Sequence, residues 1–355
     1  MALGMLIWDK NAAAGLAGTE LTQTLFGLLH GDVVTRERQF LHPDANDHLK
    51  LVWQAGAYVA LDIEGKRVLF GSATDFSFTV TDILDTGVQL AAGRDYYVYL
   101  CYEPTTAAEK GYTPVLKVSL NSTYPTGYTA DTSRKIGGFH TLCLSVGTIE
   151  GHPLSDFTTG DILPASVWDL THRPTCQPEG MVYISELDFW ADIYLQSGSG
   201  TATKSVYGGT TTDNQTQPQH VEDLFKVGKT PLSDPEFSCA AEGSNQQTAI
   251  QGAADPVTTG GHVDTAGRRM ISNYGLEDCC GALWQWLDEQ GPAGGSGWSS
   301  SDGGKGCVAG SLFALLAGGH WSDSTYCGSR ARHANPSRLA VRASYGCRGR
   351  ARSRV

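Results

Sequence analysis

Side chains able to do chemistry gather near the end of the chain, in Gly318-Gly319-His320-Trp321, in Cys327-Gly328-Ser329-Arg330 and between Arg338 and Arg348. Read as extended chain, the first part puts His320, Ser322, Ser324 and Tyr326 on one face, and the last puts Ala340, Arg342 and Ser344 on one face. Imidazole, hydroxyl, phenol and guanidinium groups side by side offer hydrogen bonds and ion pairs to a ligand, without the repeated spacing of a catalytic relay or a metal site. The residues between them, Trp321, Leu339, Val341 and Ala343, are apolar and are expected to turn inward. A fixed frame alternating with chemically arbitrary positions predicts a binding face.

Other chemistries fall away in turn. Gly303-Gly304-Lys305-Gly306 lacks the Ser or Thr that follows the lysine of a phosphate-binding P-loop. No His-Glu-x-x-His, EF-hand or Gly-x-Ser-x-Gly pattern occurs, and the histidines lack metal-ligand spacing, so neither metal nor cofactor is expected. Asp188 and Asp192 are four residues apart, but Phe189-Trp190-Ala191-Asp192-Ile193-Tyr194-Leu195 reads as a buried strand, which makes Asp192 a hydrogen-bonded structural carboxylate. Trp284-Gln285-Trp286 reads as core aromatics beneath the C-terminal strands.

The elements that must position these residues are mostly strands. Residues 1–50 show no clear period and are read as an N-terminal arm or small subdomain. From Leu51 onward apolar and polar residues alternate, as in Phe76-Ser77-Phe78-Thr79-Val80, with a turn at Glu64-Gly65-Lys66, and residues 51–165 are read as a β-sandwich spacer. Thr158 to Pro164 marks a boundary near 165, and 166–355 behaves as one unit. Within it Val221 to Lys226 is amphipathic, and Ser233-Asp234-Pro235-Glu236 is a capping box opening a helix to about Ala241. The Gly/Ser-rich stretch from Gln290 to Gly310 predicts a long surface loop.

Composition sets the outer bounds. A chain of 355 residues exceeds one ordinary domain, and 18% charged residues with 43 glycines suit a folded, loop-rich β protein. The net charge of −11 argues against nucleic acid as a partner, although every Arg, Lys, Asp or Glu from Arg330 onward is an arginine. No apolar stretch is long enough to span a membrane. Met-Ala-Leu-Gly-Met-Leu-Ile-Trp-Asp-Lys has no basic n-region, so no signal peptide is expected, and an extracellular role needs another exit such as release inside a virus particle. The nine cysteines are scattered without a CxxC pair and read as reduced, buried thiols, with a Cys327 to Cys347 disulfide left open.

Several motifs then occur in order: Trp168-Asp169, the 189–195 strand, Gly228-Lys229 with Pro231 and Phe237, Trp284-x-Trp286, Gly318-Gly319-x-Trp321 and Gly328-Ser329-Arg330. Pro125-Thr126-Gly127-Tyr128 and Arg134-Lys135-Ile136-Gly137-Gly138-Phe139-His140 precede them. On these residues the chain resembles the variable proteins of diversity-generating retroelements, over roughly residues 55–350. The resemblance implies an α+β, mostly β protein. Its C-terminal C-type-lectin fold, of the formylglycine-generating-enzyme subtype, follows a β-sandwich and a short N-terminal region. It also implies a homotrimer that binds a macromolecule on a bacterial surface, at the tip of a virion tail fibre if a phage encodes it.

Carried across by position, the resemblance makes His320, Ser322, Asp323, Ser324, Tyr326, His333, Asn335, Pro336, Ala340, Arg342, Ser344 and Tyr345 the diversified sites. Trp321, Gly328, Ser329, Arg330 and Arg348 belong to the frame. Randomised adenines in asparagine codons cannot yield Met, Trp, Lys, Gln or Glu, and none of these stands at a diversified site. Tyr326, Arg342 and Tyr345 are of the types that anchor interfaces. Two features depart from the family: residues 1–50 do not show its N-terminal pattern, and the ending from Arg348 is more basic.

Two other functions compete. A formylglycine-type oxidase needs a cysteine pair, and Cys327 matches the second cysteine while Asp323 stands in place of the first. A purely structural fibre subunit would bury the mixed face. Gln177-Pro178-Glu179, the nearest match to a lectin calcium motif, lies away from that face, so no calcium-dependent sugar site is expected.

Overall fold

The structure is a computed structural model that describes residues 4–8, 33–35, 37–63, 66–104, 112–292, 312–335 and 337–354. Strands β1 (Gly4–Trp8), β2 (Val33–Val34), β5 (Tyr58–Ile63) and β6 (Lys66–Gly71) form one antiparallel sheet in the order β1-β6-β5-β2. A second sheet joins β3 (Leu41–Pro43), β4 (Lys50–Trp53) and β7 (Phe76–Thr79). Alternation decides what these strands bury: Leu51 and Trp53 of β4 enter the first core together with Phe40, Leu41, Val59, Phe70 and Phe78. Residues before 51 therefore contribute to this core.

A third sheet has the order β11-β10-β8-β9, from β8 (Asp95–Pro104), β9 (Tyr112–Ser119), β10 (Ser133–His140) and β11 (Trp168–Asp169). Its central strand is buried on both sides. Tyr96, Val98, Leu100 and Tyr102 face the first core, whereas Tyr97, Tyr99 and Cys101 pack with Trp168, Met181, Trp190 and Ala351 from the later part of the chain. Gly137 and Gly138 permit that approach, since a Cβ on either would lie 2.5 Å from the Trp168 or the Tyr96 carbonyl oxygen. The Asp169 carboxylate adds a second tie by accepting the amides of Phe40, Leu41, Thr171 and His172.

The remaining strands make two sheets. One runs β12-β13-β19-β14, from β12 (Met181–Ile184), β13 (Phe189–Asp192), β14 (Thr230–Pro231) and β19 (Gly349–Arg352). The other runs β17-β16-β15-β18, from β15 (Trp284–Pro292), β16 (Leu312–Gly318), β17 (Gly328–Asn335) and β18 (Tyr345–Cys347), with β18 parallel to β15. Between Gln217 and Lys226 lies α1, and α2 spans Asp234–Ala240. The α2 start is the capping box read from sequence, with the Ser233 amide on Glu236 at 2.7 Å. Helix α1 begins four residues before the amphipathic stretch, because Thr216 and Gln219 form another capping box ahead of it.

Buried charges hold this region. Asp192 is 1% exposed, accepts Lys229 Nζ at 2.5 Å and also takes the Gly349 amide. The Arg348 guanidinium, equally buried, donates to the carbonyls of Asp192, Ile193 and Glu277 and to Gln285 Oε1. All eight described cysteines are free, Cys327 and Cys347 included. Of the expected surface loop, residues 290–292 continue β15 instead, because they pair with residues 312–314 of β16. Residues 293–311, among them Gly303 to Gly306, lie outside the described residues, as do Glu64 and Gly65.

Lys229→Met should destabilise the chain by about 3–5 kcal/mol, because it strands the Asp192 charge. Adding Asp192→Asn should recover part of that loss in denaturant titrations, and an additive double variant would contradict the pairing. Acid sensitivity follows from histidines held neutral: burial pushes His172 and His220 down to about 4. His262 runs the other way, since Asp278 raises it against its burial. Between pH 6.5 and 4 the unfolded chain takes up more protons at the first two, so stability should fall with pH by about 1.4 kcal/mol per unit for each net proton. Stability that is flat or rising on acidification over that window would refute the assignment.

Candidate functional site

The floor of the site is the outer face of the β17-β16-β15-β18 sheet. Trp284 and Trp286 alternate with Gln285 and Leu287, so both indoles lie on this face while Gln285 meets Arg348 and Leu287 enters the main core. Leu316, Cys347 and Tyr345 complete the same apolar cluster, with the Tyr345 ring edge-on to Trp286 at 5.0 Å. His333 of β17 stands 5.7 Å from the Trp284 ring.

Two segments rise over this floor, and neither is extended as the alternation suggested. Gly318 and Gly319 have φ of 94° and 84°, and a Cβ on them would lie 2.4 Å from the Cys279 carbonyl oxygen or 2.8 Å from Cys327 Sγ. After the turn they make, His320 is bridged to Ala282 and the Trp321 amide reaches the Ala282 carbonyl. Backbone groups from His320 to Tyr326 then satisfy one another: Asp323 N reaches His320 O, Tyr326 N reaches Asp323 O, and Ser324–Tyr326 is a 3₁₀ turn. In the second segment the Ala340 amide reaches Ser337 O, while the carbonyls of Arg338 and Arg342 accept the amides of Gln217 and Asn214. The inward turn expected for Leu339 and Val341 is thus corrected. With the backbone bonded to turns and to residues 214–217, these side chains face outward, 64% and 52% exposed.

Together these segments enclose an open depression of about 570 Å³. It gathers His320, Asp323, Tyr326, His333, Arg342, Ser344 and Tyr345 from the anticipated diversified positions. Ser322 is exposed beside it, its amide on His320 Nδ1 at 3.1 Å. Ala340 packs against the floor cluster. Asn335 is buried and donates to the Tyr345 hydroxyl at 2.8 Å, and Tyr345 itself is only 5% exposed although it lines the depression. Pro336 lies outside the described residues, as does the side chain of Ser324.

The frame residues are spread more widely. Trp321 is half-buried against Leu195, Ile250, Met270 and Leu283. Gly328 is buried, Ser329 accepts Gln246 Nε2 at 3.1 Å, Arg330 is exposed, and Arg348 lies in the interior.

Sequence reasoning missed three lining residues, Trp284, Ala331 and Arg332. Trp284 was read as core, which it largely is, and no local pattern tells that one edge of a core residue emerges. Arg332 is locked by Asp234, Ser238 and the carbonyls of Ser329 and Ala331, with its guanidinium 5.1 Å over the Phe237 ring. Burial and Arg342 hold the His333 imidazole below its usual range against the pull of Asp323, so it faces a ligand neutral, as donor and acceptor. The Cys327 thiol is pushed up to about 12 by burial and by Asp323, far from a reactive thiolate.

These placements separate groove residues by what supports them. Tyr326→Ala and Arg342→Ala remove exposed side chains and should change unfolding free energy by less than about 0.5 kcal/mol. Tyr345→Ala should cost about 3 kcal/mol or more, as a cavity beside Trp286. Equal losses in thermal or urea unfolding would contradict the division between floor and rim.

Against known proteins, residues 43–169 match the family described as the Mtd second domain. The chain is 30% identical over 303 residues to the tail fiber receptor-binding protein of Bordetella phage BPP-1, covering 78% of this chain and 73% of that protein. Solved structures of the Major Tropism Determinant U1 and M1 variants match with TM-scores of 0.72 and 0.71, at 27% and 26% identity. Both matches cover 93% of this chain, and they cover 88% and 87% of the two structures respectively. The mostly β architecture is theirs, with a C-type-lectin fold.

Proposed function

Because the chain belongs to the major tropism determinant family, we propose that it is a phage receptor-binding protein that presents the depression to a bacterial surface receptor. One observation carries this reading: His320, Asp323, Tyr326, His333, Arg342 and Ser344 meet in one open depression, while backbone bonds and a separate core fix the chain beneath them. Tyr326, His333 and Arg342 can change without disturbing these backbone bonds, whereas the Asp323 and His320 side chains also hold the amides of His320 and Ser322. The positions from His320 to Tyr345 named above are the retroelement-diversified sites, with Asn335 and Tyr345 acting through the floor they share. Residues 166–355 carry the ligand, and the strands before them act as a spacer toward the fibre.

A homotrimer at a fibre tip multiplies a weak single face into useful avidity. The chain acts by binding and not by catalysis. An oxidase of the formylglycine-generating type would place a reactive thiolate here, whereas Cys327 is buried, protonated and donates to the His320 carbonyl.

The labelled chain should hold a subset of strains in a bacterial panel. Replacing Tyr326 and Arg342 together by Ala should weaken that binding at least ~30-fold, as expected for two interface anchors, with the melting temperature retained. Full binding by the double variant would sink the assignment of the face. At the DNA level, a near-copy of the codons for 318–348 should stand close to the gene and differ only at adenines. A copy that differs elsewhere would remove the diversification reading.

A further inference from the structure

The charges lining the depression point to the class of receptor, and this step rests on the receptor-binding reading. Asp323 is the only carboxylate among the described lining residues. It is spent within the chain, with one oxygen on the His320 amide at 3.2 Å and the other 3.6 Å from His320 Nε2. Arg332 is spent on Asp234 and its neighbours. Arg342 differs from both. Its guanidinium stands 5.9 Å over the Tyr345 ring, and among the described residues no carboxylate forms an ion pair with it. Its carbonyl, bonded to the amides of Asn214 and Tyr345, fixes the backbone that carries it. A planar cationic fork held over an aromatic ring is preorganised to take a carboxylate through two parallel hydrogen bonds.

Exposed apolar side chains lie on the two segments that carry the depression. Tyr326 is 74% exposed, and Leu339 and Val341 stand out on the same segment as Arg342. Hydroxyls of a polysaccharide lose water against Leu339 and Val341 without gaining a partner, whereas apolar side chains of a protein gain by burial there. We propose that the depression takes an acidic segment of a surface protein, with an Asp or Glu carboxylate on Arg342 and apolar neighbours against Tyr326, Leu339 and Val341.

The test uses the full chain and a display library of short random peptides selected on it. Retained peptides are then measured on Arg342→Glu and on Arg354→Glu, which makes the same charge change at an exposed site that does not line the depression. The expected result is peptides with Asp or Glu beside apolar residues that lose at least ~30-fold affinity for Arg342→Glu and less than ~3-fold for Arg354→Glu. Peptides without acidic residues, equal losses for the two variants, or no peptide retained above the Arg342→Glu background would each overturn the proposal. Cell binding measured in parallel separates the two readings. Binding that survives protease shaving of the cells defeats the protein epitope but leaves receptor binding intact, and binding to no strain at all defeats receptor binding itself.

Discussion

Everything in the second half of the chain depends on Arg348. Its guanidinium is taken out of water between two sheets, and a buried cation is tolerated only when its donors are met. Here the carbonyls of Asp192, Ile193 and Glu277 and the side chain of Gln285 meet them, so one side chain fixes β13, the 277 loop and β15 relative to one another. Arg348 lies between β18 and β19, where the chain leaves one sheet for the other. The adjacent Gly349 amide on Asp192, itself paired with Lys229, completes the joint. With that crossing fixed, β18 lies parallel to β15 and the residues before it must pass over the Trp284 face.

The binding surface follows from this. The segments that carry exposed side chains are held by backbone contacts: Trp321 N to Ala282 O, Gln247 N to Cys327 O, and the amides of Asn214 and Gln217 to the 338–342 carbonyls. Hydrogen bonds made by main chain do not depend on which side chain is present, so Tyr326 or Arg342 can be exchanged at little cost to the fold. Asn335 and Tyr345 bond to each other inside the floor, and there tolerance narrows to what fits beside Trp286.

Legibility in the sequence followed the range of the contacts. The capping box at Ser233, the alternation of Trp284 with Gln285 and the structural role of Asp192 are local, and each is present in the structure. The segments 320–326 and 337–344 mimic strand alternation, yet their backbone partners lie in their own turns and in Ala282, Trp284 and residues 214–217, far away in sequence. For the same reason the burial of Tyr345 and Asn335, the double-sided burial of β8 and the emergence of Trp284 at the groove were not readable. All three are set by what packs on top.

The central claim is that a rigid frame presents one interchangeable face to a receptor. Hydrogen–deuterium exchange on the free chain and on the chain saturated with outer-membrane vesicles from a strain it binds tests this most directly. New protection should be confined to amides within 320–345, while amides around Asp192, Gln285 and Arg348 stay strongly and equally protected in both states. Protection appearing instead in the 43–169 region, or a loosening of the Arg348 joint on binding, would contradict the account.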